Sequence, residues 1–263
     1  MATAVPASNA SQTPGPVELR PVSLGSPLVT STPVWVKQGP GEVLCPILLY
    51  HHIGTTKSKN PYFVSVDEFR TQMQALKDWG YTTISATLLA DALEDGARLP
   101  LRPIVITFDD GDESVYTTAY PIMRELGFIG VNYVVADYIG KSGYMDMAQL
   151  KELAGAGWET GSHTLSHKDL TTSPNSEKEV AQSRRVLEKL LGVTVVTIAY
   201  PFGRMKTSML GTVAKNYRAG MGLGVLNIQK RADIYYLWRR PVRPGWDVQT
   251  FGSFLPWNTP MQP

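Results

Sequence analysis

Cysteine is all but missing from this chain. Cys45 stands alone, so an intramolecular disulfide cannot form and a zinc site built from cysteines is excluded. Its place after Leu44 and before an apolar run suits a buried, inert thiol. Histidine is scarce too: His51, His52, His163 and His167 are the four among 263 residues. No apolar run is long enough to span a bilayer. The formal net charge is only +2, and no segment gathers basic residues densely enough for a nucleic-acid or anionic-membrane footprint. Neither G-x-G-x-x-G nor G-x-x-x-x-G-K-[ST] opens a helix after a strand, which removes the common phosphate-cradling loops. The N-terminal stretch MATAVPASNASQTPGP lacks the basic start and apolar centre of a secretory signal.

What remains is an ordinary globular balance, 43% hydrophobic and 18% charged, which suits one large α/β domain. Residues 1–42 are rich in Pro, Ser, Thr and Gly and carry no sustained period, so they are expected to form an arm or linker, with VELRPVSL as a candidate edge strand. From residue 43 to 263 strand and helix signals alternate. CPILLYHHI is a short apolar run of the buried-strand kind. Ser65 and Glu68 form a capping box before Phe69, Met73 and Leu76, closed by Gly80. YTTIS, PIVITF, FIGVNYVV, WETG, TVVTIAY, AGMGLGV and IYYLWRR follow as strands. Helices are expected at 86–94, 114–126 (despite Pro121), 146–156, 176–191, 207–216 and 247–255. Seven or eight strands with intervening helices predict parallel β/α units closing into a barrel of about seven strands, with an open doubly wound sheet as the alternative.

The chemistry sits at strand ends. IVITFDDG places Asp109 and Asp110 side by side after an apolar run. Asp-Gly is common in turns and helix caps, and two like charges in one low-dielectric place raise each other's pKa unless a cation lies between them. All four histidines also end predicted strands, and in a β/α barrel the loops after those ends converge on one face. His163 and His167 are spaced so that both imidazoles reach one ion, and one carboxylate would complete a two-histidine, one-carboxylate set. One Asp would then bind the ion while its neighbour stays free as a base.

These motifs resemble those of the polysaccharide deacetylases, the NodB-homology domain of carbohydrate esterase family 4. TFDDG and SHTLSH look like the family's first two motifs, in order and about fifty residues apart. AYPFG is similar to the third, R-x-P-[YF]-G, and YYLWRR to a later L-x-R element. The resemblance covers roughly residues 43–255 and implies a distorted (β/α) barrel in a single domain. It implies Asp110, His163 and His167 as ligands of one divalent ion, zinc first, with cobalt and nickel as alternatives. It also implies Asp109 as general base and the Phe202 N–H, flanked by Tyr200 and Pro201, as oxyanion donor. Two departures stand out. The third-motif arginine is replaced by Ala199, and Arg239 is the expected substitute. The fifth motif, L-x-H, is missing near the C-terminus, yet Leu49-Tyr50-His51 supplies one before the first motif. That order resembles the circularly permuted deacetylases of the poly-N-acetylglucosamine type and makes His51 the candidate acid, with His52 on the opposite strand face.

The implied function is removal of N-acetyl groups from N-acetylglucosamine units of a polysaccharide, by a hydrolase acting outside the cytoplasm with any leader absent from this chain. A cytoplasmic location fits the same sequence. Alternatives are a peptidoglycan, chitin-oligomer or other amide substrate, or a non-catalytic saccharide-binding domain. Tyr50, Tyr62, Trp238, Trp246 and Trp257 are candidate sugar contacts, and RRPVRP a candidate basic strip.

Overall fold

Seven segments form parallel strands: β1 (Ile47–Tyr50), β2 (Pro103–Asp110), β3 (Val131–Val134), β4 (Glu159–Ser162), β5 (Thr197–Ala199), β6 (Ala219–Met221) and β7 (Arg240–Pro241). They are seen in a computed structural model that describes Met1, residues 33–55 and residues 60–261. The strands pair in chain order from β1 to β6, and β7 pairs with β1. The segment just before β7 completes the circuit. Leu237 N–H donates to Gly220 O at 2.8 Å, and the N–H groups of Gly222 and Gly224 donate to the carbonyls of Leu237 and Arg239, both at 2.9 Å. Hydrogen bonding therefore runs the whole way round a seven-membered ring, the barrel that the strand signals predict. Thr82–Thr83 adds a short parallel strand beside the start of β2.

Outside the ring lie α1 (Val66–Asp78), α2 (Ala86–Asp95), α3 (Tyr120–Glu125), α4 (Met147–Gly155), α5 (Ser176–Leu191), α6 (Leu210–Asn216) and α7 (Val248–Ser253). Local chemistry sets several of their ends. Ser65 with Glu68 and Asp146 with Gln149 form complete capping boxes. Gly192 ends α5 in the left-handed conformation at φ 71°.

Side chains on β2 alternate between two cores. Ile104, Ile106 and Phe108 pack outward with Phe69, Met73 and Leu76 of α1. Val105 turns inward with Ile47, Val131, Tyr133, Ala199, Met221 and Leu237. Leu89, Ala90 and Leu93 of α2 join that inner cluster. The Thr87 N–H in the first turn of α2 donates to Glu159 Oε2, at the start of β4, at 2.9 Å. So α2 covers the end where the strands begin, and the other end stays open.

Three segments depart from expectation. Residues 114–126 split into a π-helical turn (Val115–Ala119) and α3. Pro121 lies in the first turn of α3, where its missing N–H costs least. IYYLWRR contributes only its last residue, Arg240, to β7, and its rings fold over the glycines of the β6 segment. A Cβ on Gly222 would come within 2.3 Å of the Tyr236 ring, and one on Gly224 within 1.9 Å of Trp238. Residues Trp35–Gln38, assigned by composition to the arm, pair antiparallel with Ala97–Pro100 and so belong to the same compact unit as the barrel. VELRPVSL lies outside the described residues.

Close backbone approach also fixes one wall of the barrel. A Cβ on Gly161 would sit 2.3 Å from Cε1 of Tyr133, a ring that fills the barrel interior. Gly161→Ala is expected to cost about 1–3 kcal/mol through overpacking, seen as a thermal midpoint several degrees lower. An unchanged midpoint would show that Tyr133 has room to move.

Candidate active site

The open end of the barrel holds a cavity of about 330 Å³. The segment just after β1 brings His51 and His52 to it, β2 brings Asp109 and Asp110, the loop after β4 brings His163 and His167, and the turn after β5 brings Phe202. Arg239 enters from the segment that closes the ring. Neighbours on a strand point to opposite faces, yet both aspartates reach this cavity. The reason is that Asp110 leaves the β region at φ 73°. Asp110, Thr164, His167 and Phe202 are the four non-glycine residues with positive φ among the described residues, and all four belong to this cavity or to the loop supporting it. Such strain gathers where surrounding structure over-determines the backbone for a purpose.

Asp109 is 3% exposed and Arg239 is fully buried. The guanidinium donates to both carboxylate oxygens, Nη1 to Oδ1 at 2.6 Å and Nη2 to Oδ2 at 2.8 Å. Its remaining donors reach Gly222 O and Thr107 Oγ1, at 3.2 and 3.3 Å, and it lies over the Tyr133 ring. Burial alone would raise the Asp109 pKa. The Arg239 charge and hydrogen bonds, with His163 and His51 nearby, overcome that and hold it down at about 2. Arg239 thus lies against Asp109, while Ala199 packs in the inner core.

Asp110, His163 and His167 each offer one ligand atom, all within 4.8 Å of one another. Asp110 Oδ1 is buried without a hydrogen-bond partner. It faces His163 Nε2 at 3.5 Å and His167 Nε2 at 3.3 Å. A buried carboxylate oxygen left unpaired between two imidazole nitrogens is costly unless a cation fills the gap, so the donor set fits a divalent ion. The backbone prepares the ligands. His163 Nδ1 donates to Ala199 O at 2.8 Å, which leaves Nε2 with its lone pair. Burial, followed by the neighbouring His163, holds the His167 pKa below its ordinary value, favouring the neutral form that binds metal. Glu179 of α5 clamps the intervening loop by accepting from Ser166 N–H at 2.8 Å and Ser166 Oγ at 2.6 Å.

His51 lies deep in the cavity wall. Burial lowers its pKa to about 4, partly offset by Asp109 and Asp110. His52 lines the cavity too, contrary to the alternation expected, because it belongs to a two-residue strand (His52–Ile53) paired with Phe63–Val64. Tyr50, expected as a sugar contact, instead faces the outer core with Leu48, its hydroxyl donating to Gln72 Oε1 at 2.8 Å. Tyr200, expected beside the oxyanion donor, is buried and its hydroxyl donates to Tyr235 O at 2.6 Å. Pro201 is buried beneath Phe202, which is 54% exposed and packs edge-on to His167. Trp238, Trp246 and Trp257 pack on Tyr236, Phe254 and Tyr81. Of the named aromatics Tyr62 lines the cavity, as does Arg243 of the RRPVRP strip, and Arg204 and Leu223 line it without any sequence signal having marked them.

Comparison with known proteins agrees with this geometry. Residues 97–220 match the family profile of polysaccharide deacetylase. The chain is similar to YxkH of Bacillus subtilis, which bears the family's name, at 29% identity over 85% of this chain and 80% of that one. It is 27% identical to a poly-beta-1,6-N-acetyl-D-glucosamine N-deacetylase of Staphylococcus aureus, covering 72% of this chain and 70% of the other. Its fold superposes on the Streptococcus pyogenes deacetylase PplD in complex with acetate with a TM-score of 0.74, at 27% identity, over 85% of this chain and all but 1% of that one (99% covered).

The buried pair makes a testable demand. Arg239→Met would leave the Asp109 carboxylate buried without its partner, a loss of roughly 3–5 kcal/mol. Calorimetry should show that loss at pH 7. The sign follows from a folded pKa of about 2, below the unfolded value near ~3.9. The stabilisation is complete above the unfolded value and fades as pH falls toward 2, so the gap between variant and wild type should narrow in acid. A gap that does not narrow would place the stabilisation elsewhere.

Proposed function

We propose that this chain, which is similar to the polysaccharide deacetylases in sequence and fold, is a metal-dependent hydrolase removing N-acetyl groups from N-acetylglucosamine units of a polysaccharide, with poly-N-acetylglucosamine as the foremost substrate. The observation that carries this reading is the pairing of one unsatisfied carboxylate, Asp110, between two imidazoles with a second carboxylate, Asp109, held apart by Arg239. The choice of polymer is supported by the Staphylococcus aureus relative and by the position of His51 before the aspartate motif. No helix among the described residues is long and apolar enough to cross a membrane, and action on a polymer fits an extracytoplasmic setting.

Asp110, His163 and His167 would hold the ion. When bound, a divalent ion such as zinc supplies Lewis-acid polarisation of the acetamide carbonyl and lowers the pKa of water toward neutrality. Asp109 accepts a proton from the attacking water. Arg239 fixes both oxygens of that carboxylate, so its unused lone pairs point at a single place. The Phe202 N–H donates to the oxygen on which charge develops. His51, across the cavity, delivers a proton to the departing amine nitrogen. Acetate and a free glucosamine amine result. Burial keeps His51 neutral in the resting site, so it takes up one proton from solvent before giving one to the amine, and Asp109 returns to solvent the proton it took from water.

Metal content by elemental analysis and acetate release from N-acetylglucosamine oligomers test the reading together. His163→Ala and His167→Ala are expected to lose both. His51→Ala should keep the ion and lose about 10²–10⁴-fold in rate. Wild-type turnover that persists after complete metal removal would refute the metal role. Full activity in His51→Ala would move the acid to another group.

A further inference from the structure

We propose that His52 is a substrate-binding residue of this site, its Nε2 hydrogen-bonding a hydroxyl of the sugar that carries the acetamide, with Asp112 and Ser114 as the residues that position it. The inference deepens the deacetylase reading and rests on it.

Three independent restraints hold the imidazole. Nδ1 lies 2.7 Å from Asp112 Oδ2. The ring stacks on Phe63 with centroids 4.4 Å apart and planes 16° from parallel. The backbone on either side is pinned, His52 N–H to Tyr62 O at 3.1 Å and Ile53 N–H to Ser114 Oγ at 2.9 Å. Asp112 is itself fixed, its Oδ1 accepting from the Ser114 N–H at 2.9 Å and from the Ser114 hydroxyl. With Nδ1 committed to Asp112, Nε2 is the ring nitrogen left to bond. The side chain keeps 22% of its surface exposed, and that surface lines the cavity shared with Asp109, Asp110 and His51.

Holding a ring in one orientation by stacking, by a carboxylate and through a pinned backbone costs conformational freedom. A packing role alone would need only the face on Phe63. Sugar hydroxyls both donate and accept, so Nε2 can serve one in either protonation state. His52 is a poor candidate for the reacting proton. Both rings feel Asp110, but His51 also feels Asp109, His163 and Arg239, whereas the other charge acting on His52 is Asp112. A contact made equally in the ground state and the transition state changes KM and leaves kcat alone.

The test is His52→Phe in the metal-loaded enzyme, with N-acetylglucosamine oligomers as substrate. Phe keeps the ring on Phe63 and removes Nε2. KM should rise roughly tenfold, since a substrate hydroxyl would face an apolar edge, with kcat and metal content near wild type. If the variant melts early, His52→Gln, which restores a polar end at similar reach, should recover most of the KM. Wild-type KM in His52→Phe would overturn the inference while leaving the deacetylase reading intact. A collapse in kcat at unchanged KM would overturn it in favour of a proton-transfer role. A wild-type protein that releases no acetate from any N-acetylated saccharide would sink the deacetylase reading, and this inference with it.

Discussion

Burying a guanidinium is expensive, and the structure is arranged around doing so at Arg239. Its compensation comes from Asp109 and Thr107 on β2, the carbonyl of Gly222 after β6 and the ring of Tyr133 on β3. Those partners belong to three separate walls of the barrel, while Arg239 itself belongs to the segment that completes the hydrogen-bonded ring. Ring closure and site assembly are therefore one event. An arginine suits this position where a lysine would not, because a planar fork can satisfy both carboxylate oxygens and still reach two further acceptors.

The two neighbouring aspartates show how environment divides one chemical group into two roles. Asp109 stays in the regular strand, has each oxygen bonded by Arg239 and is held ionised. Asp110 adopts a left-handed backbone, turns toward His163 and His167, and keeps one oxygen without a partner. The like charges are separated by a fixed cation on one side and by ligand geometry on the other. The glycine that follows, Gly111 at φ 84°, lets the chain leave this turn.

Local signals were legible where the chemistry is local. The capping boxes at Ser65 and Asp146, the glycine stop of α5 and the Asp-Asp and His-x-x-x-His elements could all be found from spacing. Arg239 was reachable because Ala199 left an arginine missing. The side of the strand on which Tyr50 lies was not reachable, since every residue of Ile47–Tyr50 is buried and no polar alternation marks a face. The reach of His52 into the cavity was also hidden, because it depends on a pairing with Phe63–Val64 rather than on its own strand. The glycine-rich β6 segment and the aromatics beyond it carry no periodicity, and how they close the ring emerges only from ring-on-glycine packing.

The order of the strands has a consequence for how the chain acquires its shape. β1 is the first strand of the ring in sequence, yet one of its edges bonds to β7, close to the other end of the described residues. Asp109 and Arg239 are separated by 130 positions. During synthesis, β1 through β6 can pair as they emerge, but the outer edges of β1 and β6 stay unpaired until residues 237–241 arrive. Long-range closures of this kind slow folding, and unpaired edges recruit other strands. The nascent chain is thus most exposed to mispairing while residues 237–241 are still to come, with the carboxylate of Asp109 already in place and its counter-charge 130 positions behind it.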